Sequence, residues 1–142
     1  MDTIISNTEA GYRVSNTARG HEWYSDAPLT SNGADSAPNP EELLLSALGA
    51  CIAMTGRMYA NRKGWALTGV QVKLELERIL PQDYPGCAGD SKYAHRVRET
   101  ITLTGDLDDE QRNRVLEIMR KCPVRRVMEN PVLFEDMVAE TA

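Results

Sequence analysis

The stretch NPEELLLSALGACIAMTGRMYANRKG, from Asn39 to Gly64, decides how this chain folds. Asn39 is a strong helix N-cap, and Pro40 suits the first helical position, where its missing N–H costs nothing. Glu42 stands at the capping-box distance from Asn39, and Glu41 and Glu42 together complement the positive end of the helix dipole. Lys63 in the last turn and Gly64 as a left-handed terminator mark the other end. A helix from Pro40 to Lys63 is about 36 Å long. From Leu43 to Met54 it is apolar nearly all round, a pattern that calls for protein on every side. One small sheet covers only one side of such a helix, so a second chain is expected against it.

Working outward, the segment before Thr30 holds short β-like runs at Gly11 to Val14 and Glu22 to Tyr24, and Thr30 to Asn39 reads as a loop by its Ser, Asn, Gly and Pro content. Beyond the helix, Val70, Val72, Leu74 and Leu76 alternate with Gln71, Lys73, Glu75 and Glu77, the mark of a half-buried strand. A polar loop spans Pro81 to Asp90. Val97, Ile101 and Leu103 then repeat at strand spacing with threonines on the opposite face, and the two strands read as antiparallel neighbours. Asp108 to Lys121 is amphipathic, with Val115, Ile118, Met119 and Cys122 as its buried stripe. Pro123 breaks that helix and starts a short one through Glu129. Pro131 closes it, and Val132 to Phe134 is expected to add a last strand. The order is strands, long helix, two strands, two helices and a strand, which defines an α+β domain.

The totals agree with one domain over residues 1–142. A hydrophobic share of 42% and a charged share of 26% are ordinary for a globular chain, and 6% aromatic residues leave the core to aliphatic side chains. A net charge of -5 with no basic cluster argues against nucleic acid. The N-terminus lacks a secretory pattern, and the apolar run from Leu43 to Met54 is too short to cross a bilayer, so a cytoplasmic location and no membrane partner are expected. The three cysteines should then be reduced at rest, and a disulfide among them would be catalytic rather than structural. With His21 and His95 they make no zinc spacing, and no phosphate loop or dinucleotide fingerprint is present; neither metal nor cofactor is expected.

The residues that could do chemistry begin with the cysteines. Cys51 lies mid-helix, where burial raises a thiol pKa and the helix dipole gives no help; on position alone it is better explained by core packing. Cys122 precedes Pro123 and is close in sequence to Arg120, Lys121, Arg125 and Arg126. At the start of the short helix it would gain both the dipole and these cations, so local physics makes it the better thiolate, with packing again the plain alternative. Cys87 stands in a Gly/Pro loop and reads as incidental. Glu41 and Glu42 have a sufficient role as helix N-terminal residues, and His21 and His95 are isolated.

The string NPEELLLSALGAC, Asn39 to Cys51, resembles the central-helix signature of the OsmC/Ohr family, and IAMTGRMYANRKGW continues it in the manner of that family's less characterised branch. KCPVRR, Lys121 to Arg126, is similar to the motif around the family's second cysteine, and RGHEWYSDAP, Arg19 to Pro28, to a strand of the same branch. The resemblance implies an intertwined homodimer of β(3)-α-β(2)-α(2)-β order with a buried central helix. It implies reduction of organic hydroperoxides, in some members also hydrogen peroxide, without metal or haem. By motif position Cys51 attacks the peroxide and Cys122 resolves the sulfenic acid, reversing the order that local physics assigns. Glu41 matches the assisting glutamate and Arg19 the assisting arginine, with Arg13 as the other choice. Arg125 stands where related sequences often carry histidine, which makes the surroundings of Cys122 more cationic.

Arg19 would favour the thiolate and stabilise charge on the leaving oxygen, and Glu41 would orient that guanidinium. Ten helical residues, about 15 Å, separate Glu41 from Cys51, so at least one of Arg19 and Glu41 is expected from across a dimer interface. The expected activity is a hydroperoxide reductase serving oxidative-stress defence, recycled by a dithiol such as a lipoyl group or by a small thiol. The competing readings are a non-catalytic dimer that binds a small hydrophobic ligand, and a redox sensor.

Overall fold

The computed structural model describes residues 1–86 and 92–139. Their element order is β1 (Ile5–Asn7), β2 (Val14–Ala18), β3 (His21–Ser25), α1 (Pro40–Lys63), β4 (Ala66–Ile79), β5 (Ala94–Asp106), α2 (Asp109–Met119) and α3 (Pro123–Glu129), with short 3-10 turns at Leu29–Ser31 and Pro81–Asp83. The chain divides into two compact units: Met1–Ala47 with Leu74–Arg98, and Leu48–Lys73 with Glu99–Ala142. Helix α1 and strands β4 and β5 run through both.

In the first unit β1, β2 and β3 form an antiparallel sheet in which Ile5 faces Thr17 and Val14 faces Ser25. Strand β2 starts at Val14, not Gly11, because Gly11 sits in a turn at a φ of 69°. The β2–β3 hairpin turns on Arg19 and Gly20, both at positive φ (50° and 85°). That is the geometry whose twist suits a two-residue hairpin. What is buried here is polar. Asn16 bonds Ser25 Oγ at 3.3 Å and accepts from Ser6 Oγ at 2.7 Å. Asp26 accepts from the Ser36 hydroxyl at 2.6 Å, from the Ser36 amide at 3.0 Å and from the Ala27 amide at 2.8 Å, so one carboxylate winds the following loop around itself. The Ser36 hydroxyl, followed by the Ser36 amide, holds that carboxyl below the usual range.

The apolar core sits in the second unit. Leu48, Ile52, Tyr59 and Ala60 of α1 are buried, as are Leu67, Leu107, Val115, Met119 and Cys122. Gly56 belongs to the α1 stripe because Met119 lies against it: a Cβ there would stand 2.8 Å from the Met119 Cγ and Sδ. Arg57 ties α1 to β4 through the carbonyls of Leu67 and Thr68, and Arg112 of α2 donates to the carbonyls of Leu103, Gly105 and Leu107.

Both ends of α1 follow the expected chemistry. Glu42 N–H donates to Asn39 Oδ1 at 2.9 Å, and Asn39 N–H to Glu42 Oε2 at 2.8 Å, a closed capping box. Gly64 takes a φ of 68°, and the Trp65 amide reaches back to the Ala60 carbonyl at 2.9 Å. Helix α2 is shorter than its pattern and is capped by Asp108, whose side chain accepts from the Gln111 amide while Gln111 returns the bond. Strands β4 and β5 pair with each other. Gly105 lies against Ala66 while Glu77 pairs with Arg96 and Arg98, so the two run antiparallel. A Cβ on Gly105 would fall 2.0 Å from the Ala66 carbonyl oxygen, which is why glycine ends this strand.

Within one chain α1 is buried along a stripe, with Leu44, Met54 and Met58 48%, 58% and 67% exposed. One expectation about the strands is corrected. The last strand is absent among the described residues. Pro131 offers no N–H to a ladder, and no described strand pairs with the segment after it. Leu133 and Phe134 are 84% and 80% exposed. The length argument about α1 also changes. Over the whole helix, its most apolar 18-residue window has a mean hydropathy of 1.4, so by length and composition alone it could span a bilayer. The same measure is met by the core helix of a globular domain, and burying Ile52 and Ala60 within protein is what α1 does here.

Candidate active site

Cys51 stands halfway along α1, one residue before the buried Ile52, and is itself half-buried. Cys122 is wholly buried and serves as the N-cap of α3, its Sγ accepting from the Arg125 amide at 3.4 Å. Pro123 takes the first helical position, so the first free amide of α3 is that of Val124. It donates to the Sγ of Cys51 at 3.5 Å. Both thiols are free, and Cys51 is near enough to Cys122 to act on its ionisation. Successive amides of one short helix thus address two sulfurs from two different elements.

The sulfurs are not equivalent. Burial pushes the Cys122 thiol up, and the neighbouring Cys51 thiol and the Glu99 carboxylate push the same way against the Arg125 amide. This corrects the expectation that the helix start and the nearby cations lower the Cys122 pKa. The N-cap position is as expected, but full burial outweighs it. Two of the cations nearby in sequence are also paired: Arg125 Nη1 lies 3.1 and 3.3 Å from the two Glu99 carboxylate oxygens, and its Nε 2.6 Å from Glu129. Lys121 pairs with Glu117.

Glu99 was not singled out by sequence reading. Its signal is an acid at strand spacing between Val97 and Ile101, on the inward face of β5. Its side chain is 18% exposed there.

The structure brings Cys51 and Cys122 together within the second unit. Arg19 and Glu41 belong to the first, Arg19 at the apex of the β2–β3 hairpin and Glu41 in the first turn of α1. Arg13, the other candidate arginine, is engaged: Nη1 donates to Ser36 Oγ at 3.0 Å and the guanidinium lies 4.2 Å from the Tyr24 ring centre. His21 and His95 are exposed on strands, and Cys87 lies outside the described residues. A hollow of about 840 Å³ at the head of α2, lined by Trp65, Gln111 and Arg114 among others, contains neither cysteine.

A search of curated proteins gives no match. Among solved structures, an OsmC-like protein of Mycoplasma pneumoniae superposes with a TM-score of 0.74 at 14% identity, over 91% of this chain and 87% of that one. An organic hydroperoxide resistance protein of Legionella pneumophila gives 0.65 at 18% identity, over 90% and 88%. The organic hydroperoxide resistance protein OhrB of Bacillus subtilis gives 0.60 at 14%, over 90% of each. At these identities the likeness establishes the fold. The family model described as OsmC-like protein matches residues 33–135, from the loop before α1 to the tail after α3 and so across both cysteines. The chain belongs to the OsmC-like family.

Proposed function

We propose that this protein is a thiol peroxidase that reduces organic hydroperoxides, with Cys51 as the attacking sulfur and Cys122 as the resolving one. The observation that carries the reading is the pair itself: a half-buried thiol and a fully buried one, each receiving an amide from the first turn of the same helix α3. Cys51 is the sulfur a peroxide can reach. Its thiolate attacks the O–O bond, giving Cys51–SOH and, with one proton, the alcohol. The Cys122 thiol then displaces water from the sulfenic acid and closes a Cys51–Cys122 disulfide. A dithiol, lipoyl or a small compound, reduces that disulfide by exchange and leaves oxidised.

Arg19 and Glu41 are assigned to the same reaction, the guanidinium favouring the thiolate and the carboxylate orienting it. Arg19 adopts a left-handed backbone at a hairpin tip where glycine or asparagine is the ordinary occupant, and such residues gather at functional sites. Arg13 already serves Ser36 and Tyr24, which supports Arg19 as the choice. The working form is a homodimer, in which a second chain covers the open side of α1 and supplies at least one of Arg19 and Glu41. The exposed run Val132, Leu133 and Phe134 supports a partner, since an apolar segment of this kind is costly in water.

The test is consumption of cumene hydroperoxide with dithiothreitol. Cys51→Ser should abolish turnover, and Cys122→Ser should accumulate a trappable sulfenic acid at Cys51. Normal turnover by Cys51→Ser would sink the proposal.

A further inference from the structure

Helix α3 delivers an amide to each sulfur, yet it has little of its own to hold it. Its seven residues, Pro123–Glu129, are too few for a helix to be stable alone, and none of them is buried. Val127 and Met128 are 60% and 40% exposed. Apolar packing within the chain therefore does not fix its orientation. Among the described residues, the side chain that pairs with a charge on α3 from another element is Glu99 of β5, which places both carboxylate oxygens on Arg125 Nη1 at 3.1 and 3.3 Å. The side chains of Glu99 and Arg125 are 18% and 31% exposed. Such partial shielding leaves the pair less weakened by water than a surface pair. Arg125 also contributes the amide that meets the Cys122 sulfur, and the residue before it contributes the amide that meets Cys51. Glu129, the other partner of Arg125, lies one turn along the same helix and cannot anchor it to anything else.

We propose that Glu99 is a positioning residue of the two-sulfur site: by gripping Arg125 it sets the first turn of α3 so that the Val124 and Arg125 amides point at Cys51 and Cys122. The inference deepens the peroxidase reading and rests on it for its purpose, while the geometry it concerns exists with or without peroxide. Glu99 touches no reacting atom. It acts through the guanidinium and the backbone that follows.

The test uses the full chain and iodoacetamide at neutral pH, with Cys51 modification followed by peptide mass mapping. Glu99→Gln keeps the size and one acceptor but loses the charge, so Arg125 loosens and the Val124 amide drifts from Cys51. A hydrogen bond to a charged group corresponds to about tenfold, so Cys51 alkylation should slow by about that factor. A merely structural role predicts the opposite sign, because a loosened fold exposes thiols and speeds their alkylation. Arg125→Gln should reproduce the slowing, and the double variant should be no slower than either single one. Arg125→Lys, which keeps the charge but loses the fork, should fall between and serves if Glu99→Gln folds poorly. The readout needs no peroxide: absence of peroxidase activity in the wild type would defeat the proposed function and leave this measurement intact. Cys51 alkylation at the wild-type rate or faster in Glu99→Gln, or multiplicative slowing in the double variant, would overturn the proposal.

Discussion

The amide of Val124 donates to the Sγ of Cys51 at 3.5 Å, joining two residues far apart in sequence. A thiol in the middle of a helix receives nothing from its own backbone, since every amide there is bonded along the helix axis. The donor comes instead from the start of a different helix, where the first amides have no partner of their own. Pro123 matters to this arrangement. It occupies the one first-turn position that has no N–H to offer, and so the next residue is the first that can give one.

The two thiols should differ in reactivity by exposure before any other cause. Cys51 is half-buried and Cys122 is wholly buried, with burial pushing the Cys122 thiol up as well. Only the thiolate alkylates. Limited iodoacetamide on the native protein should modify Cys51 well before Cys122, because only the Cys51 sulfur is open to the reagent and burial holds Cys122 as the thiol. Peptide mapping at low conversion measures the ratio. Faster modification of Cys122 would restore the order that the local sequence favours.

The raised Cys122 thiol has a consequence for stability. Its folded value lies above the ordinary 9.0, so below that pH both folded and unfolded chains hold the proton and nothing is lost. As pH rises past it, the unfolded chain releases the proton first, and stability falls with pH until the folded thiol also ionises. Urea unfolding between pH 8 and 10.5, roughly the range around free thiol ionisation, should show a steeper alkaline loss in the wild type than in Cys122→Ser, whose hydroxyl does not titrate there. Identical slopes would mean that the burial of Cys122 carries no such linkage.

Local chemistry made α1 legible from end to end. Asn39, Glu42 and Gly64 act through atoms within a turn of themselves, and the structure shows each bond. Pro123 placed α3 for the same reason. The surroundings of Cys122 were not legible, because they are set first by burial and then by groups on other elements, Glu99 of β5 among them. Reading Arg120, Lys121, Arg125 and Arg126 as a cationic setting counted neighbours in sequence and missed the acid that neutralises one of them. Val132 to Phe134 has strand composition, yet a strand needs a partner edge, and composition cannot say which chain supplies it.

Gly56 and Met119 form a tight contact that should couple strongly. A methyl group on Gly56 would meet the Met119 Cγ and Sδ at 2.8 Å in a fully buried site. Gly56→Ala gains about 1 kcal/mol of helix propensity but must drive that methyl group into Met119. Overpacking of this kind costs ~1–3 kcal/mol, so the net change should be destabilising by about 1 kcal/mol. Met119→Ala alone should cost ~2–5 kcal/mol by leaving a cavity. In that background Gly56→Ala should change sign and stabilise, because the clash is gone and the propensity remains. Denaturant midpoints for the four proteins provide the cycle. A Gly56→Ala effect unchanged by Met119→Ala would show that the contact is not what selects glycine.

Met58 is 67% exposed on α1 in the single chain, two turns along from Cys51, and Met54 one turn before it is 58% exposed. If a second chain covers this face in the homodimer we propose, a charge there should damage association far more than folding. Met58→Glu places a good helix former at a position open to water in the isolated chain, so the fold should lose little. Buried at an interface, the same carboxylate has no partner and costs about 3 kcal/mol, which weakens the dimer more than about a hundredfold. Sedimentation should show the wild type as a dimer and Met58→Glu as a folded monomer. Peroxide turnover should fall with dimer population, since at least one of Arg19 and Glu41 would come from the partner. A Met58→Glu protein that remains dimeric would place the interface elsewhere; a folded monomer with full turnover would show that one chain completes its own site.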